Sequence, residues 1–228
     1  RAYTQSYETR VVAEHYIGTL VQIEEGLDTV TVVTEPEARP VTVDLRVDYT
    51  LKVPEGTNIR IVGTNGNVWI AAGCGEISVL GNNTDIDIKG CEGSLEARST
   101  NGRIRVADVK GPATLDTVNG NIYADILGGR LKANTTNGHV YATWLNPKIE
   151  SCDLTVTNGG ITIIMPEESS VQVDATTGRG TVRCDPLPGQ DTAQAPWLGE
   201  WHGVLGDGRG QLSLSTLNGD ISITRSSS

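Results

Sequence analysis

Between residues 65 and 145 apolar and polar residues alternate in short runs, and the runs return every 18 residues. One apolar column reads Val68, Ile86, Ile104, Ile122, Val140, and the next reads Ile70, Ile88, Val106, Ala124, Ala142. Half a period later come Ile77, Leu95, Ala113, Leu131 and Val79, Ala97, Leu115, Ala133. Alternation with period two is the signature of a half-buried strand. A fixed longer period is the signature of a repeat architecture.

Turn residues punctuate the runs. Asn-Gly occurs at Asn65-Gly66, Asn101-Gly102, Asn119-Gly120, Asn137-Gly138, Asn158-Gly159 and Asn218-Gly219, with Asn83-Thr84 in the missing slot. Thr177-Gly178 continues the series. Gly75, Gly93, Gly111 and Gly129 mark the half period. Asn and Gly supply the backbone conformations that tight corners need.

One such coil cannot bury its own apolar face. Stacked coils can, about 4.8 Å apart, with like side chains in ladders. The pattern predicts an all-β fold, a single-stranded parallel β-helix or β-solenoid with an 18-residue coil. Asn65, Asn83, Asn101, Asn119 and Asn137 should form an amide ladder at one corner. Asp85 and Asp87 precede Arg103 and Arg105 by 18 residues, so opposite charges should stack between coils and favour this register.

Residues 1–60 break the period and read as an N-terminal β cap with the first irregular coils. Val41 to Val53 alternates as one long strand, and 11–23 and 27–34 are further strand candidates. Residues 61–228 hold the repeats, with a long Gly- and Pro-rich loop at 186–210. Within that loop Trp197 and Trp201 are suited to plug the open end of the core.

Composition narrows the function. Phe is absent and Gly occurs 27 times, which suits thin layers of Val, Ile, Leu and Ala. A net charge of −10 argues against nucleic acid as partner. No apolar run is long enough for a transmembrane helix, and no signal peptide is visible at Arg1.

Candidate chemistry is sparse. Cys74, Cys91, Cys152 and Cys184 show no zinc spacing. Cys74 and Cys91 share a Gly-Cys context one coil apart, within disulfide reach, so a bridge is expected there. Two buried thiols are the alternative. Cys152 and Cys184 lie near the same corner about two coils apart. His15, His139 and His202 sit in unrelated contexts. Calcium-loaded β-rolls need corner aspartates that these turns lack, and no metal or cofactor is expected. The carboxylates near Arg103 and Arg105 look mutually neutralised, so no catalytic residue is assigned. Trp69, Tyr123 and Tyr141 share one outward column with Asp87 and Arg105 between them, the best candidate binding surface.

Leu51-Lys52-Val53-Pro54-Glu55-Gly56-Thr57 precedes the first Thr64-Asn65-Gly66, and repeated Thr-Asn-Gly units follow. The chain closes on Leu212-Ser213-Leu214-Ser215-Thr216-Leu217-Asn218-Gly219-Asp220-Ile221. This order of pieces resembles a bacterial adhesin-like β-solenoid family of unknown function, related to the head-GIN domains. The resemblance implies a solenoid at the cell envelope with no defined active site. The reading is a non-enzymatic, extracytoplasmic structural or adhesin-like surface for a protein or surface-glycan partner, with homo-oligomers through the solenoid ends a further option. The alternatives are a carbohydrate-binding module or a polysaccharide-degrading β-helix enzyme.

Overall fold

The computed structural model describes residues 2–3, 21–25, 30–34, 46–47, 51–184 and 197–226. The chain divides into two compact units, Arg1–Val53 and Pro54–Ser228.

In the first unit β1 (Ala2–Tyr3) pairs antiparallel with β4 (Arg46–Val47), and β2 (Val21–Glu25) with β3 (Val30–Thr34). Leu51 and Val53 are exposed and lie outside any strand, so the long strand expected from Val41 does not reach Val53. Its 41–45 and 48–50 stretches, residues 11–20 and 27–29 of the other two expected strands, and His15, lie outside the described residues.

The second unit is the solenoid. Its first rungs are β5 (Ile59–Cys74) and β6 (Ile77–Cys91), each running through a corner. Then come β7 (Leu95–Asn101) and β8 (Ile104–Val109), β9 (Ala113–Asn119) and β10 (Ile122–Ile126), and β11 (Arg130–Asn137) and β12 (Val140–Trp144). The rest are β13 (Ser151–Asn158), β14 (Ile161–Pro166), β15 (Val171–Cys184), β16 (Trp197–Leu205), β17 (Gly210–Asn218) and β18 (Ile221–Ser226). Among the described residues every regular element is a strand.

Successive rungs pair in parallel at the expected offset: Ile77 opposes Leu95, Leu95 opposes Ala113, and Ala113 opposes Leu131. On the second sheet Ile86, Ile104, Ile122, Val140 and Ile161 stack in the same way. All the apolar columns read from the sequence are buried, except that Val68, at the first rung, is half-buried, as are Ile59 and Ile61, which precede the columns.

The asparagine ladder forms as expected and extends further. Asn83 Nδ2 donates to Asn65 Oδ1 at 2.7 Å, and the chain of amides continues through Asn101, Asn119, Asn137, Asn158 and Asn218 at 2.7–2.9 Å. A second, buried ladder runs inside this corner. Ser99 Oγ donates to Thr84 O, Thr117 Oγ1 to Gly102 O, Thr135 Oγ1 to Gly120 O, and Thr216 Oγ1 to Gly159 O. These hydroxyls satisfy carbonyls at a place where the backbone turns away from the sheet.

Gly120 illustrates the spatial demand, since a Cβ there would lie 2.1 Å from Gly102 O. The rung with Asn83-Thr84 reverses the pattern. Gly81 takes the Ser/Thr position, and the side chain of Thr84 fills the space that a Gly81 Cβ would enter. At this rung the corner keeps one side chain from the other position, whereas the first rung has Gly63 and Gly66 at both, and Thr84 Oγ1 has no partner.

Two features depart from the sequence reading. Rungs do not follow chain order at the C-terminal end. β17 pairs with β13 on one side and β15 on the other, and β18 lies between β14 and β15. The chain therefore skips a level after Pro166, builds β15, and returns to fill the gap with its last coil. Consequently Arg179, not Thr177, opposes Asn218 and tops the asparagine ladder. The second departure is that Trp197–Leu205, expected within a loop, is strand β16, paired antiparallel with β15. Trp201 is half-buried against the core, as a plug would be. Residues 186–196 of that expected loop lie outside the described residues.

Candidate functional site

The outer surface of the second sheet carries the residues singled out from the sequence. Alternation turns Trp69, Asp87, Arg105, Tyr123 and Tyr141 outward, and the register places each beside the next. Trp69 is 74% exposed and Tyr141 37%. The Tyr123 and Tyr141 rings stack with centroids 5.0 Å apart and planes 5° apart, and His139 adds a further ring 5.8 Å from Tyr141. Trp69 stands apart from this stack, with the Asp87 and Arg105 rungs between.

Stacking changes what the tyrosines can offer. Two parallel rings on adjacent rungs cover one face of each other. What they present outward is edges and hydroxyls rather than a flat aromatic platform. Trp69 keeps open ring surface.

The expected ion pairs do not form, although the register brings the residues together. Asp85 Oδ1 instead accepts from the Arg103 backbone N–H at 2.7 Å. The same link recurs from His139 N to Asn121 Oδ1 and from Thr181 N to Asp220 Oδ1. At these three rungs a short side chain before the strand thus ties the rung to the next through backbone, while the long arginines turn to solvent. Thr181 donates to Asp220 through hydroxyl and backbone, holding that carboxyl below the usual carboxylate range.

Beside the aromatic column the sheet is irregular. The register shifts between β8 and β10. Asp108 has φ 56°, the one non-glycine with positive φ among the described residues. Its carboxylate lies 3.7 Å from Lys89 Nζ. A shallow depression of about 450 Å³ lies here, lined by Asp87, Lys89, Arg105, Asp108, Asp125 and Leu145 among others. No group of three or more His, Cys, Asp or Glu among the described residues is arranged to hold a metal ion.

The cysteines correct one expectation. Cys74 and Cys91 are register partners, as the spacing implied, yet none of the four cysteines forms a disulfide. Both are buried in the apolar column that continues through Val109, Ile126 and Trp144. The Cys91 thiol lies within 3.4–3.8 Å of the Gly75, Gly93 and Ser94 carbonyls, and burial pushes its pKa up. Cys152 lies on the first sheet, fully buried, with its thiol pushed well above the ordinary value. Cys184 lies on the second sheet beside Ile223, half-buried, and is not bridged to Cys152.

One cluster was not anticipated. On the outer face of β16, His202 Nδ1 lies 2.8 Å from Asp174 Oδ1, and Nε2 lies 3.9 Å from Glu200. Donation of a hydrogen bond from Nδ1–H to the Asp174 carboxylate holds the imidazole pKa above its usual value. The alternation of Leu198, Glu200, His202 and Val204 is its trace in the sequence, masked by the surrounding glycines.

Residues 30–224 match the model of a protein family described as Toastrack DUF4097. No curated protein and no solved structure matches the chain.

Proposed function

Since the chain belongs to the Toastrack DUF4097 family, we propose that it is a non-catalytic scaffold of the bacterial cell envelope, outside the cytoplasm, that presents a rigid sheet to a protein partner. The single observation that carries this reading is the outward column Trp69, Asp87, Arg105, Tyr123 and Tyr141. It sets exposed aromatic and charged groups at fixed rung spacing on a surface that cannot flex independently of the core. Aromatic and arginine side chains of this kind dominate protein contacts. The resemblance to adhesin-like solenoids and head-GIN domains supports the envelope address and the contact role.

A protein partner is preferred to a glycan because the tyrosine rings cover each other. Sugar stacking needs open ring faces, whereas protein side chains pack against ring edges and bond phenolic hydroxyls equally well. The exposure of Trp69 favours glycan contact as the second reading.

The test is a parallel screen of glycan arrays and solubilised envelope proteins with the wild type and a Trp69→Ala/Tyr141→Ala variant. The expected result is a retained envelope protein that the variant loses, with no glycan signal. A glycan signal lost in the variant would replace the protein reading. Equal retention by both would remove this face from the function.

A further inference from the structure

We propose that two copies of this protein trade their last coil, 210–226, each filling the other's open level. The observation that carries this is where the coil sits. β17 lies between β13 and β15, and β18 between β14 and β15. The coil is held on both sides by levels that precede it in the chain. It belongs to them through register, not through its own connection.

Those contacts are specific to this coil. Leu212, Leu214, Ile221 and Ile223 continue the buried columns. Asn218 Nδ2 donates to Asn158 Oδ1 at 2.8 Å, and Thr216 Oγ1 to Gly159 O at 2.8 Å. On the other side Thr177 Oγ1 donates to Gly219 O, and Thr181 to Asp220 Oδ1. A coil from a second copy satisfies every one of these groups equally. A level left open in one chain therefore has two chemically identical fillers, its own and its neighbour's.

Only the connection tells them apart. Leu205 and Gly210 flank Val171 on opposite sides, so the turn between them crosses the start of β15. Gly206 and Gly208 in this turn have φ 63° and 69°. Ser170 clasps it. Its Oγ donates to Asp207 Oδ1 at 2.9 Å and accepts from the Asp207 and Arg209 backbone N–H groups at 3.0 and 3.3 Å. The Arg209 guanidinium closes the turn on the Asp207 carboxylate.

The two strands flanking β15 stand about 10 Å apart. The connection from Leu205 to Gly210 drawn straight reaches roughly 17 Å. Nearly half of its reach is spent on folding back, and opening it carries the coil to a second copy. Short, bent hinges favour such exchange, and exchange in both directions closes at two copies. Opening the turn gives up the Ser170 clasp, so the clasp favours the monomer.

The test refolds the full chain from denaturant across a concentration series. Light scattering should show a dimer whose share rises with concentration. Ser170→Ala, which removes the clasp from the monomer alone, should raise that share at least threefold. Asp153 and Ser213 are outward register partners on β13 and β17, within disulfide reach of each other when replaced by cysteine. Asp153→Cys and Ser213→Cys chains refolded together and then oxidised should give a crosslinked heterodimer. The same chains refolded apart and mixed once native should give little, because each coil is by then enclosed. A wild type that refolds only to monomer at every concentration would overturn the inference. So would equal crosslinking in both mixtures, which marks a surface contact between finished solenoids, or a dimer share unmoved by Ser170→Ala. Should Ser170→Ala refold poorly, the crosslinking pair decides the matter.

Discussion

Leu115→Ala should be among the most damaging single truncations in the solenoid, for a reason specific to stacked rungs. Leu115 is fully buried, and its neighbours above and below in the same column are Ala97 and Ala133. One large side chain therefore fills space that two small ones leave. Truncation would stack three alanines, and neighbours fixed in rungs on both sides cannot collapse into the gap. Leucine truncations span about 2–5 kcal/mol depending on how far the site can relax, and this site belongs near the top, about 4–5 kcal/mol. At about 2–4 °C per kcal/mol for a domain of this size, the melting temperature should fall by roughly 10–15 °C. Leu154→Ala is the control. Its column neighbours are Ala133 and Leu214, so one large side chain can lean in, and the loss should be nearer ~3 kcal/mol. Urea unfolding followed by circular dichroism measures both. A Leu115→Ala loss below that of Leu154→Ala would refute the argument that rung neighbours set the magnitude.

Further outcomes are expected. Asn119→Ala removes two ladder bonds and should cost about 1–2 kcal/mol, whereas Asn65→Ala, at the end of the ladder, should cost about half as much by chemical denaturation. Gly81→Thr alone should destabilise, since its side chain collides with Thr84. The double variant Gly81→Thr/Thr84→Gly recreates the rungs that follow, with Ser99 or Thr117 before glycine, and should recover the loss, with a coupling of about 2 kcal/mol or more in a double-mutant cycle. The raised pKa of His202 means that its contribution is fully present below the unfolded value and fades as pH rises through the folded one. Intrinsic-rate-corrected hydrogen exchange in 200–205 should therefore be faster at pH 8.5 than at pH 6, and His202→Ala should abolish the difference. Toward a thiol reagent on the native protein, half-exposed Cys184 should react before Cys152, whose burial disfavours the thiolate, as peptide mapping would show.

The solenoid was legible because each rung must offer apolar residues at the same inward positions. Val68, Ile86, Ile104, Ile122 and Val140 satisfy that need at a constant offset, and no other backbone accounts for it. The spatial order of the rungs was not legible, because a rung carries the same pattern whichever neighbours it has. Leu212–Ile223 reads as a further coil, and only pairing reveals that it lies between 151–166 and 171–184. A hint was present in Arg179, which stands where every neighbouring rung has asparagine. β16 escaped because its inward side offers Trp201, Gly203 and Leu205, one of them without a side chain. In the outer column, spacing alone placed Trp69, Tyr123 and Tyr141, since position follows from register. Spacing does not fix side-chain rotamers. The mutual stacking of the tyrosines and the failure of Asp85 and Asp87 to meet the Arg103 and Arg105 guanidiniums are therefore properties of the folded surface alone.

The displaced last coil bears on how the molecule is made. A ribosome delivers residues in order, so β15 exists before the segment that belongs beneath it. Until Gly210–Ser226 emerges, the level it will occupy must stay open, with strand edges bare on both sides. The solenoid therefore cannot be completed by winding from one end as synthesis proceeds. The coil is completed by a wedge driven between two finished levels, and a chaperone that shields the open level is most needed in the interval before Gly210–Ser226 emerges.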